Sequence, residues 1–104
     1  MFEEVDFAGK RVLITAGADG LGLEMAQVFH RAGASVLVCD VNRDRLAALP
    51  GELPGVQAVY ADVSDEDSVA ALFAAVRQTL GGLDILINNA GVAGPTGFVE
   101  TLSK

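Results

Sequence analysis

Thr15-Ala16-Gly17-Ala18-Asp19-Gly20-Leu21-Gly22 sets three glycines and one acid between an apolar run and an amphipathic one. Backbone N–H groups left unpaired at a helix N-terminus point outward, and glycine lets an anionic phosphate approach without meeting a Cβ. A pyrophosphate is the natural occupant of such a turn, although glycines also serve tight turns and close helix packing. Asp40 follows Gly22 by about 18 residues, near the offset at which an acid accepts hydrogen bonds from an adenosine ribose. It also reads as a solvated loop acid capping the next helix. A carboxylate there repels a 2′-phosphate, Asp19 adds negative charge, and no cation directly follows Asp40. The expected cofactor is therefore NAD rather than NADP, with Arg43 the residue that argues the other way.

The remaining reactive side chains are sparse. Cys39 is the only cysteine and His30 the only histidine, so there is neither an internal disulfide nor a Cys/His cluster for zinc or iron–sulfur ligation. Cys39, in an apolar run, reads as a small buried hydrophobe, and His30, beside Arg31, as a surface residue. Tyr60 is the sole tyrosine, and Ser64 stands four residues after it. A phenol with an ordinary pKa near 10 needs a cationic neighbour to act near neutral pH. Tyr60 lies in a strand-like run next to Ala61 and Asp62 and reads as a core or edge aromatic.

Fourteen acids against seven Lys and Arg give a net charge of −7. The basic residues are scattered, which argues against a nucleic-acid partner. No segment approaches the roughly 18 consecutive apolar residues of a membrane span, and MFEEVDF is too acidic for a secretory or transit peptide. The chain is expected to be soluble and cytoplasmic.

These residues need elements to position them, and periodicity supplies strands and helices in alternation. Arg11 to Thr15 is a strand apolar on both faces. From Gly20 to about Arg31, Leu21, Met25, Val28, Phe29 and Ala32 recur at helical spacing, and Gly33 is a stop signal. Ser35 to Cys39 is a second buried strand closed by Asp40. Residues 42 to 49 form a short helix that Pro50 and Gly51 end. Val56 to Ala61 is a third strand. A helix capped by Ser64 follows, with Asp65, Glu66 and Asp67 in its first turn and Val69, Leu72, Phe73, Val76 and Leu80 inward. Leu83 to Ile87 is a fourth strand, and the tail from Val92 reads as loop. Such alternation demands parallel strands joined by right-handed crossovers, hence a doubly wound α/β sheet. Flavodoxin-like and receiver-like domains share this pattern, so it gives a fold class and no function.

The usual G-x-G-x-x-G fingerprint does not fit, because Met25 stands where its third glycine belongs. Thr15 to Gly22 instead resembles the T-G-x-x-x-G-x-G turn of the short-chain dehydrogenase/reductase family. Asn88-Asn89-Ala90-Gly91 is similar to that family's N-N-A-G motif, and Asp62-Val63 to its adenine-contacting dipeptide. The resemblance spans essentially the whole chain. It implies a three-layer Rossmann-like fold with four parallel strands in order 3-2-1-4. Gly17, Ala18, Asp19, Gly20 and Leu21 would lie along the pyrophosphate, with Gly22 letting the helix pack close. Asp40 would bind the ribose, Asp62 and Val63 would flank the adenine, and Asn89, Ala90 and Gly91 would line the cofactor channel. The paired asparagines read equally as groups satisfying neighbouring backbone. Ala16 departs from the pattern, standing where the family has its first glycine. If the position needs a positive φ, alanine is strained by about 1 kcal/mol or more, unless Gly17 absorbs the strain.

The family also implies hydride transfer between nicotinamide and an alcohol or carbonyl, with a tyrosine as proton donor or acceptor, a lysine four residues later, and a serine. No Tyr-x-x-x-Lys occurs in these 104 residues. One expectation is therefore a single domain, residues 1–104, that is the cofactor-binding half of such an oxidoreductase, incomplete at its C-terminus and inactive alone. Its fourth strand would then be an uncovered apolar edge, inviting self-association or a complementary C-terminal half. A second is a non-catalytic module that binds a nucleotide or a partner, and a third is a purely structural truncate that binds nothing.

Overall fold

A computed structural model describes residues 6–89 and, by their backbone pairing, 98–101. In chain order the elements are β1 (Arg11–Thr15), α1 (Gly20–Arg31), β2 (Ser35–Asp40), α2 (Arg43–Glu52), β3 (Gln57–Tyr60), α3 (Glu66–Thr79), β4 (Ile85–Asn88) and β5 (Phe98–Thr101). The four parallel strands run β3-β2-β1-β4, the order expected from the family resemblance. A fifth strand, β5, continues the sheet antiparallel to β4, with Asn88 opposite Phe98 and Ile85 opposite Thr101.

β1 is central because every side chain from Val12 to Ile14 is buried, which requires cover on both faces. Val12, Ile14, Val36, Val38 and Ile87 pack with Ala26 of α1 and Leu49 of α2 in one core layer. Leu13, Leu37 and Cys39 face the other way, against Leu72 and Val76 of α3. The result is three layers, with α1 and α2 on one face and α3 on the other. At the amino edge of the sheet, Arg11 clamps β1 to the start of β4. Its backbone N–H and Nε each donate to Asp84 Oδ2 at 2.9 Å, and Nη2 donates to Oδ1 at 3.2 Å. These donors pull the Asp84 carboxyl down to about 2.

Several expectations need correction. The tail is not all loop, and β4 is not an uncovered edge, since β5 pairs along it; the edge on which self-association was argued is occupied. α1 turns its small residues inward: Gly22 and Ala26 are buried, whereas Leu21 and Val28 are exposed. Close approach to the sheet is possible only where the side chains are short, so the large apolar residues flank the contact. α2 runs through Pro50 to Glu52. Proline removes one N–H from the last turn, yet Leu53 N–H still donates to Leu49 O at 2.7 Å and closes the helix. The N-cap of α3 is Asp65, whose Oδ2 accepts from Ser68 N–H. Ser64 is occupied by Asp62, to whose Oδ1 it donates its hydroxyl (2.6 Å) and amide (3.0 Å).

Candidate functional site

At the carboxyl ends of β1, β2 and β3 the sheet opens into a cleft of about 230 Å³ lined by Ala16, Cys39, Asp40, Val41, Ala61, Asp62, Val63 and Ser64. The expected ribose acid, Asp40, and the expected adenine dipeptide, Asp62-Val63, thus line one cavity although they come from different strands. At this volume the cleft is smaller than the roughly 300 Å³ at which drug-sized pockets begin.

Ala16 brings the start of the glycine turn to this cleft. The turn's conformation begins with Ala16, whose φ is +53°, the sole positive φ outside glycine among the described residues. Gly17 does not take the strain; it is required for packing, since a Cβ there would come within 2.7 Å of Val38 Cβ. Gly22 is held tighter still, because a Cβ would collide with the Ala16 carbonyl oxygen and approach Gly17 Cα to 2.9 Å. Helix α1 therefore enters directly over the turn. Gly20, at φ +57°, differs: a Cβ there would meet nothing within 4 Å, so the turn faces open space at this point.

The polar groups of the turn are held from three sides. Ala18 N–H donates to Asp40 Oδ2 at 3.1 Å, while Asp40 Oδ1 accepts from Val41 N–H at 2.8 Å and Asn42 N–H at 3.1 Å. Asp40 is thus aimed at the turn. With about four lone-pair positions on a carboxylate and three of them used, one remains for a further donor. Asn89 Nδ2 donates to the Ala16 carbonyl at 3.3 Å, and Asn89 N–H donates to Thr15 Oγ1 at 2.8 Å. Asn89 therefore performs the backbone-satisfying role foreseen for the paired asparagines. Asn88 accepts from the Thr15 hydroxyl at 3.2 Å. Ala90 and Gly91 lie outside the described residues.

Asp19 caps α1, its Oδ1 accepting from Gly20 N–H at 2.9 Å, and Leu23 N–H makes the first ladder bond to Asp19 O. Among the described residues, the N–H groups of Leu21 and Gly22 meet no acceptor. Two unpaired donors at the positive end of a twelve-residue helix can receive an anion.

Electrostatics at the cleft follow from these contacts. The Ser64 hydroxyl and amide hold Asp62 below the usual carboxylate range, so it stays ionised. Burial pushes the Cys39 thiol up to about 11, which leaves it an inert part of the floor. Tyr60 lies on the edge strand with its ring under the Arg43 guanidinium, 3.8 Å from centroid to Cζ, in keeping with an edge aromatic rather than an acid or base.

One contributor escaped the sequence reading. Arg45 of α2 donates from Nε to the Ala18 carbonyl at 3.2 Å and from Nη2 to Glu52 Oε1 at 2.8 Å. Its signal was a Glu two helical turns later, visible only if the helix persists past Pro50.

The profile of the family described as short chain dehydrogenase matches residues 10–104. The chain is 41% identical over 100 residues to a short chain dehydrogenase/reductase, dpchG, of Colletotrichum higginsianum, covering 89% of this chain and 37% of that protein. It is 43% identical over 89 residues to 3beta-hydroxysteroid dehydrogenase 2 of Eggerthella lenta, covering 82% and 34%. Against L-fucose dehydrogenase of Bos taurus it is 36% identical over 97 residues, covering 93% and 36%. The chain thus spans about a third of the length of these relatives. Among solved structures, 3-ketoacyl-(acyl-carrier-protein) reductase from Brucella melitensis, crystallised with NADH, superposes with a TM-score of 0.74 at 35% identity, covering 78% of this chain and 34% of that one. With the sheet order, the glycine turn and a profile match over nearly all its residues, this chain belongs to the short-chain dehydrogenase/reductase family.

Proposed function

We propose that these 104 residues are the NAD-binding portion of a short-chain dehydrogenase/reductase-type oxidoreductase, and that the proton-transfer groups lie outside them. The observation that carries the reading is the meeting, at one sheet edge, of the unpaired Leu21 and Gly22 amides with the Asp40 carboxylate. The turn from Gly17 through Ala18, Asp19, Gly20 and Leu21 would run along the pyrophosphate, with Gly22 allowing α1 to approach. The remaining lone pair of Asp40 would accept a ribose hydroxyl. Asp62 and Val63 would border the adenine, and Asn89 would fix the wall toward the nicotinamide, followed by Ala90 and Gly91.

When bound, the nicotinamide ring supplies a hydride acceptor or donor for an alcohol or carbonyl substrate. In this reading the cleft residues bind and orient, and proton transfer falls to groups elsewhere. NAD is preferred to NADP because a 2′-phosphate would sit against Asp40, and Arg43, the nearest compensating cation in sequence, is stacked on Tyr60. That a structural relative was crystallised with NADH agrees with this choice. A cytoplasmic location and completion by a complementary C-terminal segment belong to the same proposal.

Titration of the chain with NADH and NADPH, followed by nicotinamide fluorescence, tests it. Saturable binding that favours NADH is expected, and Asp40→Ala should weaken NADH binding and narrow the preference. Failure to saturate would refute the proposal, and an unchanged preference in Asp40→Ala would refute the ribose assignment.

A further inference from the structure

Ala18 is fully buried and both of its backbone polar groups are held by side chains. Its N–H donates to Asp40, and its carbonyl accepts from Arg45 Nε. That carbonyl stands four residues before Gly22. In an uninterrupted helix it would accept the Gly22 N–H and draw the ladder back by one residue. Here Asp19, the N-cap, is extended at φ −155° and ψ 164°, which turns the Ala18 carbonyl out of the helix toward Arg45, and the ladder starts one step later with Leu23 N–H on Asp19 O. The guanidinium that holds the carbonyl is itself fixed: Nη2 donates to Glu52, Asp19 Oδ1 lies 3.9 Å from Nε, and the Arg45 side chain is only 28% exposed.

We propose that Arg45 is a positioning residue of the phosphate-binding turn: by holding the Ala18 carbonyl it keeps the Gly22 N–H out of the α1 ladder and open to an anionic ligand. Glu52 orients the guanidinium for this task. The inference rests on the dinucleotide reading and deepens it. Lysine can reproduce the contact only in part, because a single ammonium lacks the planar fork that reaches Ala18 O and Glu52 at once.

The test compares the chain with its Arg45→Met, Arg45→Lys and Glu52→Gln variants by calorimetry, using ADP-ribose, adenosine, NADH and NADPH as probes, with amide hydrogen exchange at Gly22. ADP-ribose carries the pyrophosphate and adenosine does not. Arg45→Met should lose about tenfold in ADP-ribose affinity, as for a hydrogen bond made by a charged group. Its adenosine affinity should stay unchanged, its NADH and NADPH affinities should fall together, and Gly22 N–H should become more protected in the unliganded chain. Arg45→Lys should recover part of the loss. Glu52→Gln, a milder change should Arg45→Met fail to fold, should lose a smaller factor for ADP-ribose alone. Equal losses for adenosine and ADP-ribose would reduce Arg45 to a scaffold residue and overturn the inference, as would unaltered ADP-ribose affinity. A loss confined to NADPH would make Arg45 a 2′-phosphate ligand and overturn it too. If the unmodified chain binds none of the probes, the dinucleotide reading itself falls and takes the inference with it.

Discussion

Ala16 occupies a conformation that a glycine would take without strain, and replacing it tests the turn geometry by the sign of a stability change. At φ +53° its Cβ crowds the following carbonyl, which costs about 1–2 kcal/mol relative to glycine. Glycine in turn gives the unfolded chain more freedom, worth about 0.4–1 kcal/mol against the folded state. The difference leaves Ala16→Gly more stable by about 0–1.6 kcal/mol, with a middle value of about 0.8 kcal/mol that for a chain of this size is a melting-temperature rise of about 3–6 °C. Thermal unfolding followed by far-ultraviolet circular dichroism reads this directly. Were Ala16 in an ordinary negative-φ conformation, the same substitution would lower stability by about 0.5–1 kcal/mol. A fall in melting temperature would therefore refute the turn geometry from which the site is built. Ala16→Val supplies the converse, since a β-branched side chain is worst suited to this region, and it should melt below the parent chain.

Three further outcomes follow from the contacts. Gly22→Ala drives a Cβ into the Ala16 carbonyl, so it should destabilise the chain by about 1–3 kcal/mol and weaken NADH binding more than an equally destabilising change in α3; calorimetry on both variants decides. Asp84, drawn to about 2 by Arg11, has a folded pKa below its unfolded value near 3.9. Its stabilisation is thus complete above about pH 4 and lost as pH falls toward 2, and chemical denaturation across that window should show a shallower pH slope in Asp84→Asn. Cys39, buried and raised to about 11, should resist alkylation at pH 8 in the folded chain and react once denatured; fast labelling of the folded chain would contradict its place in the cleft floor.

The parts of this fold that were legible are those in which local pattern and tertiary environment agree. Val12-Leu13-Ile14 and Val36-Leu37-Val38 are apolar on both faces because both faces are covered, so composition alone marked them as central parallel strands. Asp40 and Asp62-Val63 could be placed at strand ends by counting, and parallel topology then brought those ends to one edge. What escaped depended on contacts between elements. α1 meets the sheet through Ala26 as well as the expected Gly22, a small-residue contact that no hydrophobic periodicity marks. Pro50 read as a terminator, yet so near the helix end its missing N–H removes a single bond, and that extra length brings Glu52 to Arg45. Ser64 was the expected cap of α3, but the Asx turn at Asp62 ties it up and the cap falls to Asp65. β5 is four residues long, too short for a period of two to register, and antiparallel where the rest of the sheet is parallel.

The central claim is that the amides opening α1 and the carboxylate ending β2 together hold a dinucleotide. An NMR titration of the isotopically labelled chain with NAD tests it residue by residue. The account predicts saturable shifts concentrated at the amides of Ala18 to Gly22, at Asp40 and Val41, and at Asp62 and Val63, with α3 beyond its first turn undisturbed. Saturable shifts confined elsewhere, or none at all, would contradict it.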